Sequence, residues 1–287
     1  MKKIRVLVPA LLSSITVSAF AAAHAGEAHT MPSIDTVKHL QDYQVIEFRR
    51  YVTTDGERTH FAKYFDAYFP EAFEQLGVMV FGQFLDRDQP NHFTWVRGSK
   101  DISARPIANA AFYYGPVWKE HKLKVNAILP DSDNVMLLRP LHAEHGVSVL
   151  PAVDPVIEEG GATGVVVAQI FAVKKGSEEA FAQKAEAAFA HYRVAGVHEA
   201  GVLVTLDVPN NFPQLPIRTD GPWLIWLGVA KDTATLESSL AAQMKRVEQS
   251  LGDTGLLRGA TERLVMDPTP RSRLRWFVDA AAGTPSP

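Results

Sequence analysis

The chain has 287 residues, 46% of them hydrophobic and 21% charged, with a formal net charge of −3 and no cysteine. This composition suits one large globular domain or two small ones, and it excludes disulfides, thiolate metal sites and a cysteine nucleophile. A mildly acidic balance also argues against nucleic acid or an anionic membrane as a partner.

Residues 1–25 read as a secretory signal. Lys2, Lys3 and Arg5 form a basic start, Val6 to Ala23 is apolar, and Ala23-His24-Ala25 is a small-residue cleavage site before Gly26. Cleavage there removes three cations and no carboxylate, which takes the net charge to −6. The expected location is therefore outside the cytoplasm, periplasmic or secreted. No second apolar run reaches transmembrane length, so no membrane contact is expected after cleavage. Residues 26–42 are polar and read as an N-terminal lead-in.

The first strand is Val45-Ile46-Glu47-Phe48-Arg49-Arg50-Tyr51-Val52. Period-two alternation puts Ile46, Phe48 and Arg50 on one face and Val45, Glu47, Arg49 and Tyr51 on the other. Glu57 to Leu76 follows a helical period through Phe61, Phe65, Tyr68, Ala72 and Leu76, with a kink at Pro70 and a stop at Gly77. Val78–Leu85 and His92–Arg97 read as strands around a loop from Asp86 to Asn91. Residues 101–129 read as helical, broken at Gly115-Pro116, with an apolar face of Ile107, Ala111, Tyr114, Trp118, Val125 and Ile128 that also carries His121. Asn134–Arg139 is a strand ended by Pro140.

Residues 141–163, rich in Pro, Gly, His and Glu, read as a linker. The order then repeats. Gly164–Val173 is a strand, Ser177–Ala195 a helix with Phe181, Ala185, Phe189 and Tyr192 inward, and Val197–Val208 and Trp223–Val229 are strands. Leu236, Leu240, Val247 and Leu251 mark a helix, Ala260–Met266 a last strand, and a tail runs over 269–287. Offsets support a duplication. Val45–Tyr51 aligns with Val167–Val173 at 122, Gly56 with Gly176 at 120, Phe93–Asp101 with Leu224–Asp232 at 131, and Pro140 with Pro268 at 128. The loop 210–220 absorbs the jump. The expected fold is α+β: two tandem ferredoxin-like β-α-β-β-α-β units, 43–140 and 164–268, packed sheet to sheet as an intramolecular α/β barrel.

Three segments resemble the NIPSNAP family: Glu47-Phe-Arg-Arg-Tyr51 with Gly56, Phe69-Pro70 with Leu76-Gly77 and Gly82, and Trp118-Lys-Glu-His121 through Val125-Asn126 to Asp131–Pro140. The resemblance spans about residues 44–140, with 164–268 as a divergent second copy. It implies the dimeric α/β-barrel superfamily, whose members include cofactor-free monooxygenases, haem-handling proteins and small-molecule binders.

If Ile46 and Phe48 pack on the helices, Glu47, Arg49 and Tyr51 line the barrel interior, against Gln169, Phe171 and Val173 of the second copy. A polar half facing an apolar one suits a small amphipathic or anionic ligand held between the halves, with Arg49 on its anionic or carbonyl group and Arg139, Trp118 and His121 as further candidates. The alternatives are an oxygenase-type or haem-handling enzyme using His121, Tyr51 or Arg49, and an interaction module that meets a partner through loop 210–220. Tyr113 and Tyr114 read as core and rim. His142-Ala-Glu-His145 has two imidazoles at i, i+3, but neither a third ligand nor a fixed backbone is evident. Asp131-Ser-Asp-Asn134 lacks the glycine and terminal glutamate of a calcium loop. No metal site and no cofactor are expected. Nor is there a G-x-S-x-G, a phosphate loop or a G-x-G-x-x-G to support a hydrolase, kinase or dinucleotide reading. The chain is expected as a monomeric pseudo-dimer or a homo-oligomer.

Overall fold

A computed structural model describes the backbone of Lys38–His39 and residues 43–277. The signal read over 1–25 and most of the lead-in lie outside the described residues. No described helix is long and apolar enough to cross a membrane.

The elements follow the expected order. In the first half they are β1 (Lys38–His39), β2 (Val45–Val52), α1 (Arg58–Tyr68), α2 (Pro70–Glu74), β3 (Met79–Asp86), β4 (His92–Ser99), α3 (Ala104–Tyr113), α4 (Pro116–Ile128) and β5 (Asp131–Pro140). After β6 (Ser148–Val149) the second half runs β7 (Val165–Ala172), α5 (Glu178–Phe189), β8 (Val197–Thr205), β9 (Trp223–Ala230), α6 (Thr233–Thr235), a π-turn (Leu236–Leu240), α7 (Ala241–Gly252) and β10 (Glu262–Pro268). Pro70 and Pro116 each open a helix, as a residue without an amide hydrogen can.

Eight strands close into one barrel in the order β10-β3-β4-β2-β5-β8-β9-β7, with β7 pairing back onto β10. Each half contributes the same local order: second strand, third, first, fourth. The fourth strand of each half pairs with the second strand of the other, β5 on β8 and β10 on β3. One chain therefore closes the whole sheet and leaves no barrel edge open.

Ile46, Phe48, Val96, Met136 and Leu138 meet Val166, Ala168, Ile170, Ile225, Leu227 and Met266 in one buried cluster that includes no helical residue. That cluster is the barrel interior, and it is filled by side chains, as an eight-stranded barrel permits. The assignment of faces on β2 is thus the reverse of the expected one. Ile46 and Phe48 point into the barrel, while Tyr51 packs under the helices with Phe61, Phe65, Trp95 and Phe112, on the face that Glu47 and Arg49 share. The physical reason is volume: an interior shared by two sheets takes the bulky apolar set from both. Arg50 shares parity with Ile46 but lies at the strand end, where it bonds Glu262 of β10 at 2.6 Å and faces Asp86 at 3.6 Å.

The stretch 141–163 is more than a tether. Val147, Val149 and Leu150 are buried, and the first two join the interior cluster. The segment crosses β8 closely, so that a Cβ on Gly201 would stand 3.2 Å from the carbonyl oxygen of His145. The tail also packs. Arg275, 2% exposed, forks onto Glu158, with Nη2 2.6 Å from Oε1. On the helical face, Ile107 and Tyr114 are exposed, and Arg105, Ala108, Asn109 and Phe112 are the buried set of α3. The apolar count put that helix about a quarter-turn off, because its covered face carries an Arg and an Asn.

Candidate functional site

β2 is flanked by β4 and β5, so both its edges are paired, and its side chains are buried on both faces. Under the helices, Glu47 meets three arginines. Arg97 of β4 donates to Glu47 Oε2 from Nη2 at 2.7 Å and from Nε at 3.0 Å. Arg105 of α3 donates from Nε to Oε1 at 2.7 Å, and Arg49 donates from Nη1 to Oε2. All four groups are at most 3% exposed. Burial opposes the charge on Glu47, but Arg97, Arg49 and Arg105 outweigh it and hold the carboxyl far below the usual carboxylate range. Burial likewise works against the Arg49 cation, while the Tyr51 oxygen and Glu47 more than offset it and keep the proton on. Three buried cations share one carboxylate, so the cluster carries an excess of positive charge.

The aromatic frame fixes these groups. The Arg49 guanidinium lies 5.4 Å from the Trp95 ring centre and 5.5 Å from that of Tyr51, and its Nε donates to Tyr51 Oη at 2.9 Å. Arg97 lies 4.9 Å from the ring centre of Phe73. Such cation–π contacts gain when desolvated.

Arg49 and Tyr51 line a cavity of about 340 Å³ between the sheet and α1–α4. Its walls are Phe61, Phe65, Phe69, Trp95, Phe112, Tyr113 and Trp118, with Ser132 and Asp133 among the lining groups. The size falls within the roughly 300–1,000 Å³ of small-molecule sites. Burial raises the pKa of Tyr113 above the ordinary phenol value, so its hydroxyl keeps its proton. The indole Nε1 of Trp95 is buried without a hydrogen-bond partner among the described residues.

The second half supplies further lining through its β8–β9 loop, with Phe212, Gln214, Leu215 and Pro216. Two asparagines fasten that loop to the first half. Arg105 Nη1 donates to Asn210 Oδ1 and Asn211 Oδ1, each at 3.0 Å, and Asn211 Nδ2 donates to the Ile102 carbonyl at 2.6 Å. The part of the loop read as a partner surface is therefore engaged within the chain.

The corresponding space in the second half is filled. Phe171, Phe181, Phe189, Tyr192 and Trp226 form one buried cluster there. Gln169, at the position of Glu47, donates to Glu248 at 2.8 Å and accepts from Tyr192. Gly228 stands where the first half has Arg97. A Cβ at Gly228 would meet the Trp226 ring at 2.1 Å, so the glycine admits the ring where the first half has a guanidinium.

Of the expected site residues, Glu47, Arg49, Tyr51 and Trp118 come together, but under the helices and not between the sheets. Two do not join them. Arg139 is exposed and caps its own strand end through the Pro140 and Leu141 carbonyls. His121 is 8% exposed and sits outside the cavity wall, its Nδ1 2.5 Å from Tyr64 Oη and its ring 4.4 Å from that of Tyr68. Arg139→Ala should change stability by less than about 0.5 kcal/mol. Tyr64→Phe, which deletes a hydrogen bond, should cost about 1 kcal/mol. Urea denaturation checks both. Arg97 and Arg105 were missed as site residues. The offset alignment carried a signal for Arg97, which falls opposite Gly228, but nothing local marks Arg105. Asp131-Ser-Asp-Asn134 opens β5 with an Asx turn, Asp133 N–H to Asp131 Oδ1 at 2.9 Å, and is no calcium loop.

The described lining residues of the cavity include no histidine, and His121 Nδ1 meets Tyr64 Oη instead.

No family model matches the chain, and no curated protein matches it. Solved structures share the fold. An anthrone oxidase-like protein superposes with a TM-score of 0.54 at 13% identity, covering 81% of this chain and 94% of its own. A candidate monooxygenase from Fusobacterium nucleatum gives 0.53 at 13%, covering 83% and 98%. The chain thus has the dimeric α/β-barrel fold, completed within one polypeptide. A NIPSNAP domain protein from Burkholderia xenovorans matches 33% of this chain and 93% of its own, at 18% identity and a TM-score of 0.31.

Proposed function

We propose that this is an exported protein that binds a small amphipathic molecule, with an aromatic body and an anionic or carbonyl end, in the cavity of its first half. The observation that carries this reading is the position of Arg49, a buried guanidinium in a cluster with excess positive charge, at the wall of an aromatic cavity. Its described hydrogen bonds use Nε and Nη1, which leaves Nη2 for a guest. The Tyr113 hydroxyl and the Trp95 indole offer two further donors, and the rings fit a flat apolar body. Residues 1–25 support export. The motifs between Glu47 and Pro140 support a NIPSNAP-like origin for the first half. Because the barrel closes within one chain, it needs no second copy to complete it, in a monomer or in a homo-oligomer. Native mass spectrometry of the protein as purified should show a retained small molecule that is absent from Arg49→Leu. An unliganded mass together with no binding of aromatic acids would refute the reading.

A second reading is an oxygenase, favoured by the aromatic walls of the cavity and by the fold shared with a candidate monooxygenase and an anthrone oxidase-like protein. Arg49 would then stabilise an oxyanion on an electron-rich substrate. Oxygen uptake with anthrone, lost in Arg49→Leu, would support it, and no uptake would leave binding alone.

A further inference from the structure

We propose that His142, His145 and Glu186 bind one divalent transition-metal ion of the zinc or copper type, with Glu199 as the carboxylate behind His145. The sequence offered two imidazoles at i, i+3 and lacked a third ligand and a rigid support. The fold supplies both. Glu186 projects from α5 and places Oε1 3.1 Å from His142 Nε2 and 3.9 Å from His145 Nδ1. One donor atom from each of the three residues lies within 4.8 Å of the others. Donors sharing a zinc at about 2.0–2.2 Å stand roughly 3–3.5 Å apart, so closing the set needs only side-chain adjustment.

The support is local. His142 caps and His145 ends a 3₁₀ turn over Ala143–His145, closed by His145 N–H to the His142 carbonyl at 3.0 Å. Leu141 N–H, just before it, bonds the Val202 carbonyl at 2.8 Å, and Val147, just after it, is buried in the barrel interior. Glu186 follows the fully buried Ala185 on α5.

His145 carries the second observation. Its Nδ1 is buried without a hydrogen-bond partner among the described residues, although it faces a carboxylate. Its other nitrogen, Nε2, is 3.9 Å from Glu199 Oε1, and Glu199 Oε2 accepts from Trp226 Nε1 at 3.0 Å. A carboxylate that a side-chain adjustment brings into hydrogen-bond reach of one imidazole nitrogen, with the other nitrogen beside Glu186, gives the arrangement that orients a metal-ligating histidine. A plain His142–Glu186 ion pair on the surface would be worth roughly 0–1 kcal/mol and would leave the orphaned Nδ1 of His145 unexplained. Two imidazoles and one carboxylate suit zinc and copper better than calcium or magnesium, and three protein donors leave positions open for water.

The test is calorimetric titration of the untagged, chelator-treated full chain with Zn²⁺. One ion per chain with a micromolar Kd is expected. His145→Ala and Glu186→Gln should each weaken it at least tenfold. Glu199→Gln should weaken it about tenfold and shift the visible absorption of the Co²⁺ form. Binding weaker than about 1 mM would overturn the site. So would an ion retained with unchanged affinity by the His142→Ala/His145→Ala double variant, which would mean an adventitious ion only. If the double variant does not fold, His142→Ala alone decides, because that side chain is 48% exposed and outside the core.

Discussion

Glu47→Gln is expected to lower stability by about 3–5 kcal/mol, the cost of removing one partner from a buried ion pair. Arg49, Arg97 and Arg105 would then lie under the helices without a countercharge, each at 1% exposure. For a chain of this size that corresponds to a fall in Tm of roughly 10 °C. The loss should depend on pH in a defined direction. The folded-state pKa of Glu47 is depressed, so its contribution is complete above the unfolded value, about 4.3. It declines below that value, by about 1.4 kcal/mol per pH unit, as the unfolded chain takes up the proton. The stability difference between wild type and Glu47→Gln should therefore be flat from pH 6 to 8 and shrink below pH 4. Asp66 and Asp86 act oppositely. Burial raises the pKa of each, so each costs stability when ionised and ceases to as the pH falls. Urea denaturation across pH separates them, since only the Glu47 contribution disappears in the variant.

Phe171→Ala is expected to cost about 3–5 kcal/mol. Phe171 is fully buried against Phe181 and Phe189, with ring centres 5.5 and 6.0 Å away. It occupies the position that Arg49 holds in the first half. The same strand position thus lines a cavity in one copy and fills the equivalent space in the other. The truncation should leave the affinity of the first-half cavity for an aromatic acid unchanged within twofold, because none of its lining residues belongs to the second cluster.

Much of the fold could be read from period and repeat. Strands β2, β4, β7 and β9 fall within two residues of their expected ends, because each is a run of β-branched and aromatic residues bounded by turns. The offset comparison located the asymmetry between Glu47, Arg49, Tyr51 and their counterparts Gln169, Phe171, Val173. What it could not give was the direction of the face. Alternation places Ile46 and Phe48 opposite Glu47 and Arg49, but when both faces of a strand are covered, polarity alone does not say which one meets the helices. The charged face is tolerated there because Arg97 and Arg105, 50 and 58 residues along the chain, complete the hydrogen bonding of the Glu47 carboxylate, and contacts of such separation leave no local trace. The same holds for the roof. Loop 210–220 showed itself only as an insertion between offsets, and its asparagines find Arg105 through the fold alone. The surroundings of the histidines are equally non-local. His121 lies on a helix face with Trp118, yet it bonds Tyr64 of α1, and the fold, not the sequence spacing, brings Glu186 of α5 beside His142 and His145.

The most direct measurement is calorimetric titration with 1-hydroxy-2-naphthoate, an aromatic acid sized for the cavity, of wild type, Arg49→Leu and Arg139→Ala. A guest held by Arg49 through a charge-assisted hydrogen bond, worth about 1.5–3 kcal/mol, should bind the wild type and Arg139→Ala alike. It should bind folded Arg49→Leu ten to a hundredfold more weakly. Equal affinity in all three would contradict the placement of the binding site beneath the helices of the first half.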